Sequence, residues 1–222
     1  MVNIDILRKR NGKSIIVASV IPEKDYENQI RLISKKLEDF NFIPEFRMDL
    51  GTFDYDNIEK YMKMVNDYSI PNIFTYRTGQ PFLAEKAYKI PLGLENSILD
   101  IDVSIIRRIS FNYPRNRTIL SSHFLNPLEF RAKFEQLAKF RNVAIKLASS
   151  FDHENILDVL WFLKHASGER ILSVVPQGMN NQIFRIVSSL TVSDFMYSSL
   201  DEPVVGGQYR MEWLSKILDM IH

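Results

Sequence analysis

The length, composition and charge of the chain restrict the kind of protein it encodes. Its 222 residues are 45% hydrophobic and 25% charged, as in folded globular proteins, and no apolar run reaches the roughly 18 residues of a membrane span. The 28 basic residues nearly balance the 27 acidic ones without forming a cluster, which argues against a nucleic-acid or membrane partner. The chain has no cysteine, which excludes disulfides and thiolate metal sites. We therefore expect a soluble, cytoplasmic protein that acts on a small molecule.

Strand-length apolar runs alternate with longer amphipathic segments along the whole chain, without a linker between them. The predicted strands lie at 14–20, 42–50, 71–76, 97–103, 118–122, 143–148, 170–175 and 194–198. The predicted helices lie at 26–40, 58–68, 82–88, 105–110, 127–140, 153–165, 181–190 and 209–221. This α/β pattern favours a single-domain (β/α)8 TIM barrel over residues 1–222. The alternative is a doubly wound open sheet, but its Gly-x-Gly-x-x-Gly turn and a phosphate loop are absent.

A lysine interrupts the sixth predicted strand. Residues 142–149 read Asn-Val-Ala-Ile-Lys-Leu-Ala-Ser, so the branched side chains fall on one face and Lys146, between two alanines, on the other. In a mainly apolar pocket the ammonium form would be destabilised, and the neutral amine could form a Schiff base with a ketone. The alternative is a lysine that reaches water at a strand end or pairs with a carboxylate.

The second predicted strand carries charged residues on one face. Glu45, Arg47 and Asp49 alternate with hydrophobic residues, so all three charges should point into the barrel. The alternating neighbours should face the helices: Phe46, Met48 and Leu50. We expect Asp49 to hold Arg47 in an ion pair, and Glu45 and Arg47 to contact a ligand.

Polar residues also end the next strands, which is where barrels build their active sites. Arg77 ends the third strand, Asp102 the fourth and His123 the fifth. Because adjacent strands lie ~5 Å apart, Asp102, His123 and Lys146 should form a proton-transfer row on neighbouring strands. A single histidine among scattered carboxylates does not make a ligand set, so we expect no metal ion.

Two segments after the last strands complete the candidate site. Arg185 lies in the first turns of the seventh helix, where it is either a ligand contact or a surface residue. The glycine-bearing segment 203–208 follows the eighth strand and is expected to close over a ligand.

In chain order, these segments resemble the type I 3-dehydroquinate dehydratases of the shikimate pathway of aromatic amino acid biosynthesis. The motifs of that family match Glu-x-Arg-x-Asp at 45–49, Phe-Thr-x-Arg-Thr at 74–78, Ser-x-His at 121–123, the lysine strand at 144–148, an arginine at 185 and Gly-Gln at 207–208. No motif is specific alone, but their order and spacing cover nearly the whole chain. The chain departs from the family at Asp102, where glutamate is usual, and at Phe184 and Val204, where serine is usual.

The resemblance implies a lyase, more narrowly a hydro-lyase, that converts 3-dehydroquinate to 3-dehydroshikimate without a cofactor. Lys146 would form an imine with the C3 ketone of the substrate, and His123 would act as general base and general acid. We also expect a homodimer. Two rivals are a Schiff-base aldolase on the same barrel and a non-catalytic sugar-acid-binding barrel, although the lysine and histidine argue against the second.

The resemblance also implies which residues bind the substrate. Glu45, Arg47 and Arg77 would contact its hydroxyls or carboxylate side, and Arg185 and Gln208 would hold its carboxylate.

Asp102 is the departure that bears most on the chemistry, because an aspartate is one methylene shorter than the usual glutamate. We expect Asp102 to contact His123 directly or through a water, and to raise the pKa of that histidine.

Overall fold

In the part of the chain that the structure describes, eight strands alternate with eight α-helices, and each strand precedes an α-helix. The computed structural model describes residues 1–124, 126–151 and 153–221. The strands are β1 Ile15–Val20, β2 Phe42–Arg47, β3 Asn72–Thr75, β4 Ser97–Asp102, β5 Thr118–Phe124, β6 Ala144–Ser149, β7 Leu172–Pro176 and β8 Phe195–Ser199. The helices are α1 Tyr26–Asp39, α2 Tyr55–Asp67, α3 Pro81–Leu92, α4 Val103–Ile106, α5 Phe130–Ala138, α6 His153–Ala166, α7 Gln182–Thr191 and α8 Met211–Ile221.

The strands form one parallel sheet that curves into a barrel. They are hydrogen-bonded in the order β7-β6-β5-β4-β3-β2-β1-β8. At the remaining seam, the Asp194 N–H donates to the Leu172 carbonyl over 2.7 Å, and the Leu172 N–H donates to Asp194 Oδ2 over 3.0 Å. The Val174 N–H donates to Ser193 Oγ over 2.9 Å. The prediction of a (β/α)8 barrel is confirmed.

Side-chain alternation along the strands sorts the core into two layers. The N-terminal residues Ile4 and Leu7 fill the amino end of the barrel together with inward-facing residues of β2 to β5. These inward-facing residues are Ile43, Ile73, Ile98 and Ile119. Outward-facing residues such as Phe46, Leu99 and Leu147 pack against the helices. Each such side chain stabilises the fold by roughly 1.5–3 kcal/mol through burial. These inward-facing apolar residues close the amino end of the barrel, so the polar groups that can take part in chemistry lie at the carboxyl end.

The helices follow local rules of spacing and capping. In α2, apolar residues at helical spacing are buried against the sheet: Ile58, Tyr61, Met62 and Val65. The Asp54 side chain caps this helix by accepting from the Asn57 N–H over 2.9 Å. The Asp25 side chain caps α1 in the same way, from the Asn28 N–H over 3.3 Å. None of the helices in the described part of the chain is long and apolar enough to cross a membrane.

Two local predictions need correction. Leu50 is 44% exposed and does not pack against the helices, because β2 ends at Arg47 and the chain then turns. The Leu50 N–H donates to the Arg47 carbonyl over 3.0 Å, which ends the strand alternation on which that prediction depended. The helix predicted at 105–110 is a single turn at Val103–Ile106.

Candidate active site at the carboxyl end of the barrel

Lys146 lies on β6 with its side chain inside the barrel, where the residue is 3% exposed. Its Nζ donates to Asp100 Oδ2 over 2.8 Å and to Glu45 Oε1 over 3.3 Å. Of the two environments considered for Lys146, the structure contains the pairing with carboxylates and not the mainly apolar pocket. Barrel interiors are built in layers from alternate strands, so β2, β4 and β6 bring these three side chains to one level.

The two carboxylates are as buried as the lysine. Although burial opposes ionisation, the charges of Lys146 and Arg47 hold the pKa of Glu45 below its ordinary value. Burial likewise opposes ionisation of Asp100, and the charges of Lys146 and Arg77 outweigh it and lower the pKa of that carboxyl. The cluster therefore holds its carboxylates ionised beside a cationic nitrogen.

Hydroxyl groups fix the orientation of Glu45. Ser19 Oγ donates to Glu45 Oε2 over 2.7 Å, and Thr75 Oγ1 donates to Glu45 Oε1 over 2.9 Å. With Lys146, these contacts occupy both carboxylate oxygens. Glu45 is thus placed first of all to hold the lysine.

His123 and Asp102 form a hydrogen-bonded pair above the lysine. His123 Nδ1 lies 3.0 Å from Asp102 Oδ2, and the side chains are 22% and 19% exposed. The contact is direct, so the shorter aspartate reaches the ring without a bridging water. If Nδ1 donates its proton to Asp102, Nε2 carries the lone pair that a base needs.

The protonation of this pair differs from the expectation. Burial lowers the pKa of His123 by more than the hydrogen bond to Asp102 raises it, and the charge of Arg77 adds to the lowering. The predicted rise is therefore wrong in its net direction. Burial opposes ionisation of Asp102, but hydrogen bonds from His123 and Ser104 bring the pKa of that carboxyl to about 2. At neutral pH the pair is a neutral imidazole beside a carboxylate.

The strand register relates this pair to the lysine. Ser121 of β5 is the register partner of Asp102 on β4 and of Lys146 on β6. His123 lies two residues further along β5, towards the carboxyl end of the barrel. The three residues therefore lie on neighbouring strands, with the histidine one level above the amine.

Two arginines lie near the cluster, each beside a carboxylate. Arg47 Nε and Nη2 donate to Asp49 Oδ1 and Oδ2 over 3.0 and 2.7 Å, which fixes the guanidinium plane. Arg77 lies at the end of β3, with Nη2 3.8 Å from Asp100 Oδ2 and a side chain that is 26% exposed.

Arg185 is buried in α7, not a surface residue, and is 2% exposed. Its Nη1 donates to the Tyr197 carbonyl over 3.4 Å, while Nε and Nη2 have no hydrogen-bond partner within the described residues. Burial lowers the pKa of Arg185 to about 10, so the group is still cationic at neutral pH. A buried cation with free donors is suited to bind an anionic group of a ligand.

Gln208 is also buried, but its amide holds the segment 203–208 together. Its Oε1 accepts from the Val204 and Val205 N–H groups over 2.8 and 3.1 Å. Its Nε2 donates to Ser19 Oγ over 3.3 Å and to the Ser198 carbonyl over 3.4 Å. Contact between this amide and a substrate would require some of these bonds to exchange.

The sequence interpretation assigned no role to Asp100 or to Tyr197, although both face the lysine. The Tyr197 ring centroid lies 3.6 Å from Lys146 Nζ. Asp100 shares the strand and the inward phase of Asp102, and Tyr197 shares those of the buried Phe195. Their inward positions on strands that alternate with β6 are visible in the sequence, but the level of each along the barrel depends on the strand stagger.

A cavity of about 300 Å³ opens beside the hydrogen-bonded pair of His123 and Asp102. It is lined by Arg77, Thr78, Gly79, Asp102, Ser104 and Ile105. A larger hollow of about 580 Å³ lies at the opposite end of the barrel, beside Arg8 and Arg170, away from these groups. Within the described part of the chain, no group of three or more histidine and acidic side chains is placed to hold a metal ion.

Comparison with known proteins adds a relative and several solved structures. No family model matches the chain. The chain is 26% identical over 215 residues to a protein named 3-dehydroquinate dehydratase from Thermoplasma volcanium, which covers 94% of this chain and 90% of that one.

The solved structures share the fold. The 3-dehydroquinate dehydratase of Geobacillus kaustophilus has a TM-score of 0.71 at 17% identity, over 93% of this chain and 90% of that one. The type I 3-dehydroquinate dehydratase of Clostridium difficile, solved with covalently modified comenic acid, has a TM-score of 0.75 at 14% identity, over 96% of this chain and 94% of that one. At such identities the likeness concerns the barrel alone.

Proposed function

We propose that this chain is a 3-dehydroquinate dehydratase of type I, a hydro-lyase that works through a Schiff base on Lys146. One observation carries the proposal: the lysine amine is buried at the barrel centre between two carboxylates, with a neutral histidine paired to Asp102 on the next strand. The relative from Thermoplasma volcanium, which spans nearly the whole chain, supports the same activity.

The reaction begins at the lysine. Transfer of a proton from the ammonium of Lys146 to Glu45 or Asp100 frees the amine, which lies within hydrogen-bond distance of both. The nitrogen forms a bond to C3 of 3-dehydroquinate, and the carbonyl π electrons move to the oxygen, which takes up a proton. A second proton transfer releases this oxygen as water and leaves a cationic iminium.

His123 then carries a proton between two positions of the substrate. Its neutral ring removes the proton from C2, and the C–H electrons flow into the iminium to give an enamine. The enamine then re-forms the iminium at C3 and makes the C1–C2 double bond as the C1–O bond breaks, and the leaving hydroxyl takes the proton from His123 and departs as water. A further water hydrolyses the conjugated iminium, releases 3-dehydroshikimate and restores Lys146, so the net change is the loss of one water.

The remaining residues bind and orient. The unpaired donors of Arg185 would hold the substrate carboxylate, assisted by Gln208 once its loop contacts rearrange. Arg47 and Arg77 would donate to the substrate hydroxyls. Glu45 lies at the same level but is already bonded on both oxygens, so its first role is to position the lysine.

Two residues act through others in this proposal. Asp49 would keep the guanidinium of Arg47 in its plane, and Asp102 would keep Nε2 of His123 facing the substrate. A single domain over residues 1–222, a homodimer and a cytoplasmic location stay predictions. Light scattering of the purified protein tests the homodimer.

The test combines an assay with covalent trapping. With 3-dehydroquinate we expect the conjugated enone absorbance of the product, and borohydride should inactivate the enzyme with one adduct on Lys146, located by mass spectrometry. Lys146→Ala should lose both responses. Lys89→Ala, which changes an exposed lysine of α3, is the control and should keep both.

The rivals predict different results. A Schiff-base aldolase would be trapped on Lys146 but would yield carbon–carbon cleavage products, and a binding barrel would give neither absorbance nor adduct. Turnover retained in a folded Lys146→Ala protein would refute the proposal.

A further inference from the structure

The interior layer that holds Lys146 has a fourth member. Glu45 comes from β2, Asp100 from β4, Lys146 from β6 and Tyr197 from β8, the set of alternate strands expected of one layer of a barrel. Tyr197 is 4% exposed, and its ring centroid lies 3.6 Å from Lys146 Nζ. The cationic nitrogen therefore rests against an aromatic face as well as between two carboxylates.

The ring and the carboxylates act differently on a cation. Glu45 and Asp100 attract the positive nitrogen but can also remove its proton, because each lies within hydrogen-bond distance of it. An aromatic face attracts a cation through its quadrupole and cannot accept the proton. The attraction is strongest where water is excluded, as it is around these buried groups.

We propose that Tyr197 is a further catalytic residue, whose ring face keeps the nitrogen of Lys146 protonated once it has become an iminium. The inference rests on the proposed Schiff-base function. The protonated iminium is the electron sink for removal of the C2 proton, and a neutral imine is a much poorer one. With two carboxylates close by, a group that favours the cation without taking its proton keeps the intermediate in its reactive form.

The tyrosine hydroxyl provides a control that separates the ring from its substituent. Within the described residues Tyr197 Oη has no hydrogen-bond partner, so Tyr197→Phe removes no described bond and keeps the aromatic face. Phe195 provides a second control. It lies one inward position earlier on β8, is fully buried, and packs against Tyr197 with ring centroids 5.9 Å apart. Phe195→Leu thus makes the same kind of cavity without removing the ring that contacts the lysine.

The experiment measures borohydride inactivation and kcat at saturating 3-dehydroquinate. Borohydride reduces the cationic iminium far faster than a neutral imine, so its rate follows the protonated form. We expect Tyr197→Leu to lower both rates about tenfold or more, equivalent to about 1.4 kcal/mol. Phe195→Leu should stay within about twofold of the wild type, and Tyr197→Phe, which keeps the aromatic face, should restore most of the rate that Tyr197→Leu loses.

A shape-preserving series guards against misfolding of the leucine variant. Phenylalanines with increasing numbers of fluorines at position 197 weaken the ring quadrupole at nearly constant volume, and the logarithm of the trapping rate should fall steadily along the series. A flat series, or a loss in Tyr197→Phe as large as that in Tyr197→Leu, would overturn the inference. Absence of any adduct in the wild type would instead refute the Schiff-base function itself.

Discussion

At the scale of single residues, the site shows how neighbours decide the protonation of a side chain. His123 is held neutral by burial and by nearby positive charge, while Asp102 is held anionic by hydrogen bonds from His123 and Ser104. A general base must be unprotonated to work, so this combination suits proton abstraction near neutral pH. Because the pKa of His123 is lowered overall, the ring stays unprotonated and able to remove a proton at lower pH.

Substitution of Asp102 by asparagine tests this pair. Asparagine can still accept the N–H of Ser104 in the first turn of α4, so the cap of this helix is kept while the negative charge is lost. The carboxylate of Asp102 raises the pKa of His123, although burial lowers that pKa by more. Loss of the carboxylate should therefore lower the pKa of His123 further and move the acidic limb of the kcat/KM profile to lower pH.

The rate itself should also fall. The amide of the Asp102→Asn variant would no longer fix the histidine tautomer, so we expect kcat to drop by about 10- to 100-fold, with borohydride trapping retained. An unshifted profile and an unchanged kcat would show that Asp102 has no part in positioning His123. Ser104→Ala is the matched control, because it leaves the carboxylate in place.

At the scale of elements, the connection after β8 is docked against the connection after β7. The Gly178 N–H donates to the Gly206 carbonyl over 3.2 Å, and Gln208 closes the segment 203–208 on itself. Gly207 has a φ of +80°, and a Cβ there would clash with the Gly178 carbonyl oxygen. The docked loop therefore depends on glycine at this position, both for conformation and for space.

Gly207→Ala should undock this loop. The strain is about 1–3 kcal/mol, so we expect a raised KM for 3-dehydroquinate and faster proteolysis within 203–208, with a smaller effect on kcat. Gly93→Ala is the control, since Gly93 at the end of α3 has a φ of −77° and room for a methyl group. Equal proteolysis of the Gly207→Ala variant and the wild type, with equal KM values, would mean that the docking does not serve binding.

At the scale of the whole molecule, the barrel interior changes from apolar to ionic along its axis. Isoleucines fill the lower part, and the layer above them contains the carboxylates of Glu45 and Asp100 and the ammonium of Lys146. A buried ion pair adds little net stability, but removing one partner leaves uncompensated charge. Glu45, Asp100 and Lys146 therefore stabilise the barrel only when all three are present.

Lys146→Ala should therefore destabilise the fold as well as abolish activity. At neutral pH we expect a loss of about 3–5 kcal/mol in urea unfolding, because two buried carboxylates lose their partner. Glu45 and Asp100 have lowered pKa values in the wild type, so their contribution is present at neutral pH and lost as the pH falls. In the variant they protonate more readily in the folded state, so the gap between the two proteins should narrow on acidification.

A double variant checks the cause. Adding Asp100→Asn to Lys146→Ala removes one of the stranded charges and should recover part of the lost stability at neutral pH. A gap that is constant between about pH 7 and about pH 5, or a double variant less stable than Lys146→Ala, would assign the loss to packing alone.

The eight strand–helix units could be predicted from the sequence, as could the inward phase of Glu45, Arg47, Asp102, His123 and Lys146. Both follow from local geometry, because the two-residue period of a strand decides which side chains share a face wherever the strand lies. The same rule failed at Leu50, where β2 had already ended in a turn that the alternating pattern does not reveal.

The sequence did not show, however, which side chains contact Lys146. The contacts of Lys146 with Glu45, Asp100 and Tyr197 join alternate strands across the barrel, and they depend on closure and stagger, which no local period encodes. The direction of the pKa shift at His123 could not be predicted from the sequence either. The alternating pattern places a carboxylate beside the ring, but it does not show how deeply the ring is buried, and burial outweighs the effect of the carboxylate.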